Sequence, residues 1–168
     1  MNNSTIYTIL QFFTLVLVQV LVLNNVNFLE YINPYPYILF ILLFPVRANR
    51  SLIIFLSFLL GFMVDLFSDS GGIHAAACVT LAFIRPTILK FSFGMVYEHQ
   101  SIKFSQVEFG RRLVYFSIAT LIHHFIMFSL EVFNISKIIL ILQKTLFSSI
   151  FTIILSLLIT VLFSRKRR

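Results

Sequence analysis

The sequence predicts an all-α integral membrane protein, six transmembrane helices in one bundle, and three observations carry that reading. Hydrophobic residues make up 59% of the 168-residue chain and charged residues only 11%, where a soluble domain carries about a quarter charged residues. Mean hydropathy is +0.97. The basic residues are also sorted. Ten of thirteen Lys and Arg fall into three clusters: Arg47 with Arg50; Lys90, Lys103, Arg111 and Arg112; and the run Arg165, Lys166, Arg167, Arg168. The gaps between, 24–34 and 66–72, hold Glu30 and Asp69 and no Lys or Arg. Such alternation is the positive-inside pattern of a multi-span protein. It predicts one transmembrane domain over 1–168 with both termini cytoplasmic.

The first span is expected over Thr5–Leu23, enough to cross about 30 Å of hydrocarbon, and Asn24, Asn25 and Asn27 end it. No basic n-region or small-residue cleavage pattern marks it as a removable signal. Spans two and three, Tyr35–Val46 and Ser51–Leu66, are separated only by Arg47-Ala48-Asn49-Arg50. The second is short. A re-entrant hairpin would bury both arginines at a cost of at least ~2.5 kcal/mol each, so two crossings with a cytoplasmic turn are preferred. The remaining spans are expected over Ile73–Leu89, Leu113–Phe133 and Thr145–Phe163. Tyr31, Tyr35 and Tyr37 gather at one interface, and Tyr97 and Tyr115 flank the other.

The cytoplasmic loop of about 90–112 alternates apolar residues at Phe91, Phe93, Met95 and Tyr97, then at Ile102, Phe104, Val107 and Phe109. Period two is a strand signature, with a turn at Glu98-His99-Gln100-Ser101. An irregular loop dipping its aromatics into the interface is the equal alternative.

Ionisable residues inside spans are the candidates for chemistry, because lipid disfavours them. Asp65 comes first, on a helix stripe with Gly61 before it and Asp69 after it. Gly61 lets a helix approach closely. Ser68-Asp69-Ser70-Gly71-Gly72 makes a tight outer turn. A carboxylate that shapes this turn is preferred to a ligand-binding role. His123 and His124 lie mid-span, with Glu131 on the face of His124. A proton path or metal site can be drawn through His124, Glu131, Asp65 and His74, but the spacings match no metal signature. Neutral histidines bonding across helices are preferred. Arg85-Pro86 interrupts span four, with Pro86 kinking it and Arg85 snorkelling to the headgroups. Cys78 reads as a small buried hydrophobe, and a single cysteine forms no intrachain disulfide.

Catalytic motifs are missing from the sequence: no G-x-S-x-G, no Walker lysine loop, no H-E-x-x-H. No enzyme, cofactor or metal centre is expected. The net charge of +7 sits where hydrophobic spans end, which points to anionic membrane lipids rather than nucleic acid as its counter-charge.

The stretch Gly61-Phe62-Met63-Val64-Asp65-Leu66-Phe67-Ser68, followed by Gly72-Ile73-His74-Ala75-Ala76-Ala77, resembles the hallmark of the MreD family of rod shape-determining proteins. Asn33-Pro34-Tyr35-Pro36-Tyr37, Phe44-Pro45 and the basic tail suit it too. The resemblance implies a non-enzymatic scaffold of the elongation complex in the bacterial inner membrane. It would bind an MreC-like single-span protein and, indirectly, MreB filaments and the peptidoglycan synthase. It also implies a fold similar to the substrate-binding subunits of energy-coupling-factor transporters. Gly61, Asp65, Gly72 and His74 carry over as motif and partner-interface candidates, with Arg85, His124 and Glu131 as secondary polar ones. The short second span and the high phenylalanine content depart from the family pattern. The competing class is a small-solute-binding subunit of a transporter. Such subunits dock through small residues on their first helix, and span one has no Ala or Gly.

Overall fold

The computed structural model describes residues 3–26, 33–94 and 107–164. These residues form helices and turns and no strand. Five long helices carry the architecture: α1 (Asn3–Leu21), α3 (Arg50–Ser68), α4 (Ile73–Phe93), α5 (Phe109–Val132) and α6 (Ile138–Ser164), with a short α2 (Leu39–Leu43) between the first two. Four stretches, Arg50–Ser68, Ile73–Phe93, Phe109–Val132 and Ile135–Leu162, are long and apolar enough to cross a membrane, and α1 adds a shorter apolar stretch, Ile6–Leu21. That is consistent with a multi-pass membrane protein.

Side-chain contacts define the directions. Arg50 Nη2 donates to the Phe83 carbonyl while Gly61 lies against Ala75, so α3 and α4 are antiparallel. Arg85 meets Tyr115 and Cys78 meets His123, which makes α5 antiparallel to α4. His124 meets Thr152 and Glu131 meets Lys144, and α6 turns back again. Asn24 donates to Ser68 Oγ at 2.8 Å, bringing the C-terminal ends of α1 and α3 together, so those two run parallel. One end of the bundle therefore collects Arg50 and Arg111 with Glu108, and the other Asp65, Asp69 and Glu131 with Lys144.

The second expected span is where the structure departs most from the sequence reading. In place of a helix over 35–46, only Pro36–Ile38 (a 3-10 turn) and α2 are helical. Eight helical residues reach about 12–16 Å, well short of the hydrocarbon layer. Tyr37, Ile38, Leu39, Phe40, Ile41 and Leu42 are each at most 2% exposed. The segment is apolar because the other helices enclose it on every side, not because it faces lipid. Non-helical backbone at membrane depth is tolerated when protein surrounds it and satisfies its polar groups; here the segment is enclosed and both of its ends find partners. Gln19 Nε2 donates to the Pro34 carbonyl and the Tyr35 N–H donates to Thr152 Oγ1 at the entry. Arg85 and Tyr115 serve the exit.

Helix ends also shift. α4 continues through Pro86 to Phe93 and α5 starts at Phe109, so Phe91, Phe93 and Phe109 are helical and not part of alternating strands. The turn expected at 98–101 lies outside the described residues, as does the basic run 165–168.

Candidate functional site

Four motif residues, Gly61, Asp65, Gly72 and His74, meet at one joint. α4 begins at Gly72, whose φ of +96° suits glycine and which has no side chain to cap the helix. The cap comes instead from α3. Asp65 Oδ1 accepts the His74 N–H (2.9 Å) and the Ser70 hydroxyl (2.5 Å), and Oδ2 accepts the Ala75 N–H (2.8 Å). The carboxylate is only 5% exposed. It satisfies two of the orphan donors of α4 and sits against the positive end of that helix, the arrangement in which a buried anion is stabilised. This reach requires α3 and α4 to be very close. A Cβ on Gly61 would fall 2.5 Å from both Ala75 Cα and the His74 carbonyl oxygen. The close approach expected of Gly61 is therefore used inside the chain. As a surface for a partner's helix, Gly61 is corrected by its burial under α4.

A second polar cluster runs from His74 into the core. Tyr37 Oη lies 2.8 Å from His74 Nδ1 and 3.1 Å from His123 Nε2. His124 Nε2 lies 3.1 Å from Thr152 Oγ1, and His124 Nδ1 lies 3.0 Å from the Thr120 carbonyl. With one proton assigned to each ring, the proton positions follow from these partners. A carbonyl only accepts, so His124 carries its proton on Nδ1 and receives the Thr152 hydroxyl at Nε2. The two Nδ1 atoms of His123 and His124 are 3.4 Å apart. Two N–H groups facing each other there would repel, so His123 carries its proton on Nε2 and donates to Tyr37. The Tyr37 hydroxyl then donates to His74 Nδ1, which leaves the His74 proton on Nε2. Each of the three histidines bonds across helices. Tyr37→Phe removes the shared hydroxyl, strands His74 Nδ1 and leaves His123 Nε2 only the Cys78 sulfur at 3.7 Å. A loss of about 1–3 kcal/mol is expected in unfolding of the detergent-solubilised protein, and an unchanged midpoint would refute this network.

The remaining candidates separate. His124 is fully buried, whereas the Glu131 side chain is 44% exposed and pairs with Lys144 at 2.7 Å, so the two do not meet. Arg85 does not snorkel. It is 4% exposed; Nε donates to Tyr115 Oη at 3.1 Å and Nη2 donates to the carbonyls of Leu42 and Phe44. It faces the C-terminal, negative end of α2, so the interior supplies acceptors that headgroups would otherwise provide. Cys78 is fully buried, beside His123. Among the described residues, no group of three or more His, Cys, Asp or Glu side chains is placed to hold a metal.

Above the joint lies a cleft of about 390 Å³, bordered among others by Tyr35, Asp69, Ser70, His74, Met127 and Glu131. Sequence reasoning missed Tyr37 and Thr152 as interior polar residues. Tyr37 looked like an interfacial anchor. The signal for Thr152 was available: Thr145, Ser148, Ser149, Thr152, Ser156 and Thr160 recur three or four residues apart and are all buried, the pattern of a helix turning its hydroxyl face inward.

Comparisons with known proteins return no matching family model, no matching curated protein and no matching solved structure.

Proposed function

We propose that this chain is a non-enzymatic membrane scaffold of the MreD type, holding an MreC-like single-span protein within the cell-elongation machinery of the bacterial inner membrane. On this reading the chain makes six crossings, the second interrupted, with both termini cytoplasmic and a fold similar to the substrate-binding subunits of energy-coupling-factor transporters. The observation that carries the proposal is the joint itself. Gly61, Asp65, Gly72 and His74, the residues on which the family resemblance rests, come together as one helix–helix contact and its cap. A motif kept for shape, rather than for reaction, is what a scaffold needs.

The role of Asp65 changes in consequence. Its oxygens are spent on α4 and Ser70, so it acts on a partner through the position of the 69–72 turn and not by touching it. Asp65→Leu removes the cap and is expected to weaken co-purification with the MreC-like partner in mild detergent several-fold while membrane insertion persists. Asp65→Asn, which keeps one acceptor oxygen, should fall between. Full assembly and normal rod growth with Asp65→Leu would defeat this role. A folded wild-type protein that forms no complex would defeat the scaffold reading and favour the small-solute-binding subunit.

A further inference from the structure

We infer that the cleft above the Asp65 joint binds a zwitterionic head, an ammonium group beside a phosphate or carboxylate. Two observations, independent of each other, define what must fill it. The first is charge. Asp69 ends α3 with φ at +51° and its exposed side chain has no ion-pair partner among the described residues. Glu131 is already neutralised by Lys144 at 2.7 Å. Of the two carboxylates lining the cleft, Glu131 is thus paired outside it and Asp69 keeps its charge unpaired, while Asp65 beneath is spent on α4. The second is a donor. His74 is 7% exposed, lines the cleft and spends Nδ1 on Tyr37. Its Nε2 has no acceptor among the described residues and is not sealed in the interior, so a ligand oxygen in the cleft gains a hydrogen bond there.

A simple cation satisfies Asp69 but is repelled by the His74 N–H. A simple anion does the reverse. A head with both charges satisfies both, and about 390 Å³ is room for a small polar head. The buried chain from Thr152 through His124, His123 and Tyr37 sets the His74 tautomer, so the interior decides which end of the ligand faces inward: the anionic oxygens go to His74 and the ammonium to Asp69. The same chemistry has two sources, the headgroup of phosphatidylethanolamine at the membrane surface or a free zwitterion such as phosphoethanolamine.

The test uses the full chain purified in a maltoside detergent. Phosphoethanolamine, dihexanoyl-phosphatidylethanolamine and dihexanoyl-phosphatidylcholine are titrated by calorimetry, with the unfolding midpoint followed in parallel. At least one ethanolamine probe is expected to bind saturably and raise the midpoint. The choline lipid has no N–H to give Asp69 and is expected to bind at least about tenfold more weakly. Asp69→Asn tolerates the left-handed backbone, so its ligand-free midpoint should match wild type while its affinity falls about tenfold. Binding by the lipid alone identifies a headgroup site, and binding by free phosphoethanolamine a solute site. No binding by either ethanolamine probe, equal binding of the choline lipid, or unchanged affinity in Asp69→Asn overturns the assignment.

Discussion

Gly61→Ala is expected to cost about 3 kcal/mol, the upper end of what overpacking costs, and to lower the apparent unfolding midpoint by roughly 6–12 °C. The added methyl meets backbone: Ala75 Cα and the His74 carbonyl oxygen at 2.5 Å, the Ala75 nitrogen at 2.6 Å. No rotamer change relieves such a contact, so α3 and α4 must separate. Separation also draws Asp65 away from the N–H groups of His74 and Ala75, which it reaches at 2.9 and 2.8 Å. The cap then weakens with the packing, and Gly61→Leu is expected to yield no monodisperse protein. Gly110→Ala is the control. A Cβ there meets nothing within 4 Å, and alanine is the better helix former, so its stability should equal or slightly exceed wild type. Equal midpoints for Gly61→Ala and Gly110→Ala would show that α3 and α4 do not pack as described.

Arg85→Met is expected to destabilise by roughly 3 kcal/mol. It leaves the Phe44 carbonyl without its donor, while Leu42 keeps the Tyr115 hydroxyl at 3.2 Å. Two effects oppose each other. Removing a buried cation relieves a desolvation penalty, but an orphaned carbonyl at this depth has no water to turn to. The second dominates because α2 ends inside the bundle and Phe44 already leaves helical geometry (φ −56°, ψ +143°). Tyr115→Phe should cost less, since Arg85 still serves Leu42. Hydrogen exchange localises the effect: faster exchange confined to about 36–46 supports it. Near-neutral stability with unchanged exchange would return Arg85 to the headgroups.

How much was legible in the sequence varies by element, and the differences have physical causes. The long spans were visible because a helix in lipid must be apolar over most of its length. α4 reads clearly even with Arg85 and Pro86 inside it. The segment 35–46 misled for the opposite reason. A helix facing lipid and a short piece enclosed by protein are both uniformly hydrophobic, and only neighbours tell them apart. Arg85 misled in the same way, because a cation near a span end can reach headgroups or a buried helix terminus, and distance along the chain does not choose. That the histidines bond across helices is legible in the sequence, but their partners lie 86 residues away for Tyr37–His123 and 28 for His124–Thr152. No local pattern encodes those separations.

The sequence alone determined the helical class, its apolar stretches and the clustering of most basic residues. Each follows from the solvent: hydrocarbon demands satisfied backbone and few charges, and charge sorts to the water. Only the tertiary structure decided what those residues touch. It turned Gly61 toward the chain's own α4, gave Asp65 to a helix terminus, sank Arg85 against α2, and left Asp69 and His74 lining one cleft. Hydrogen bonds and close contacts are local in space, so they are settled when helices distant in sequence pack together.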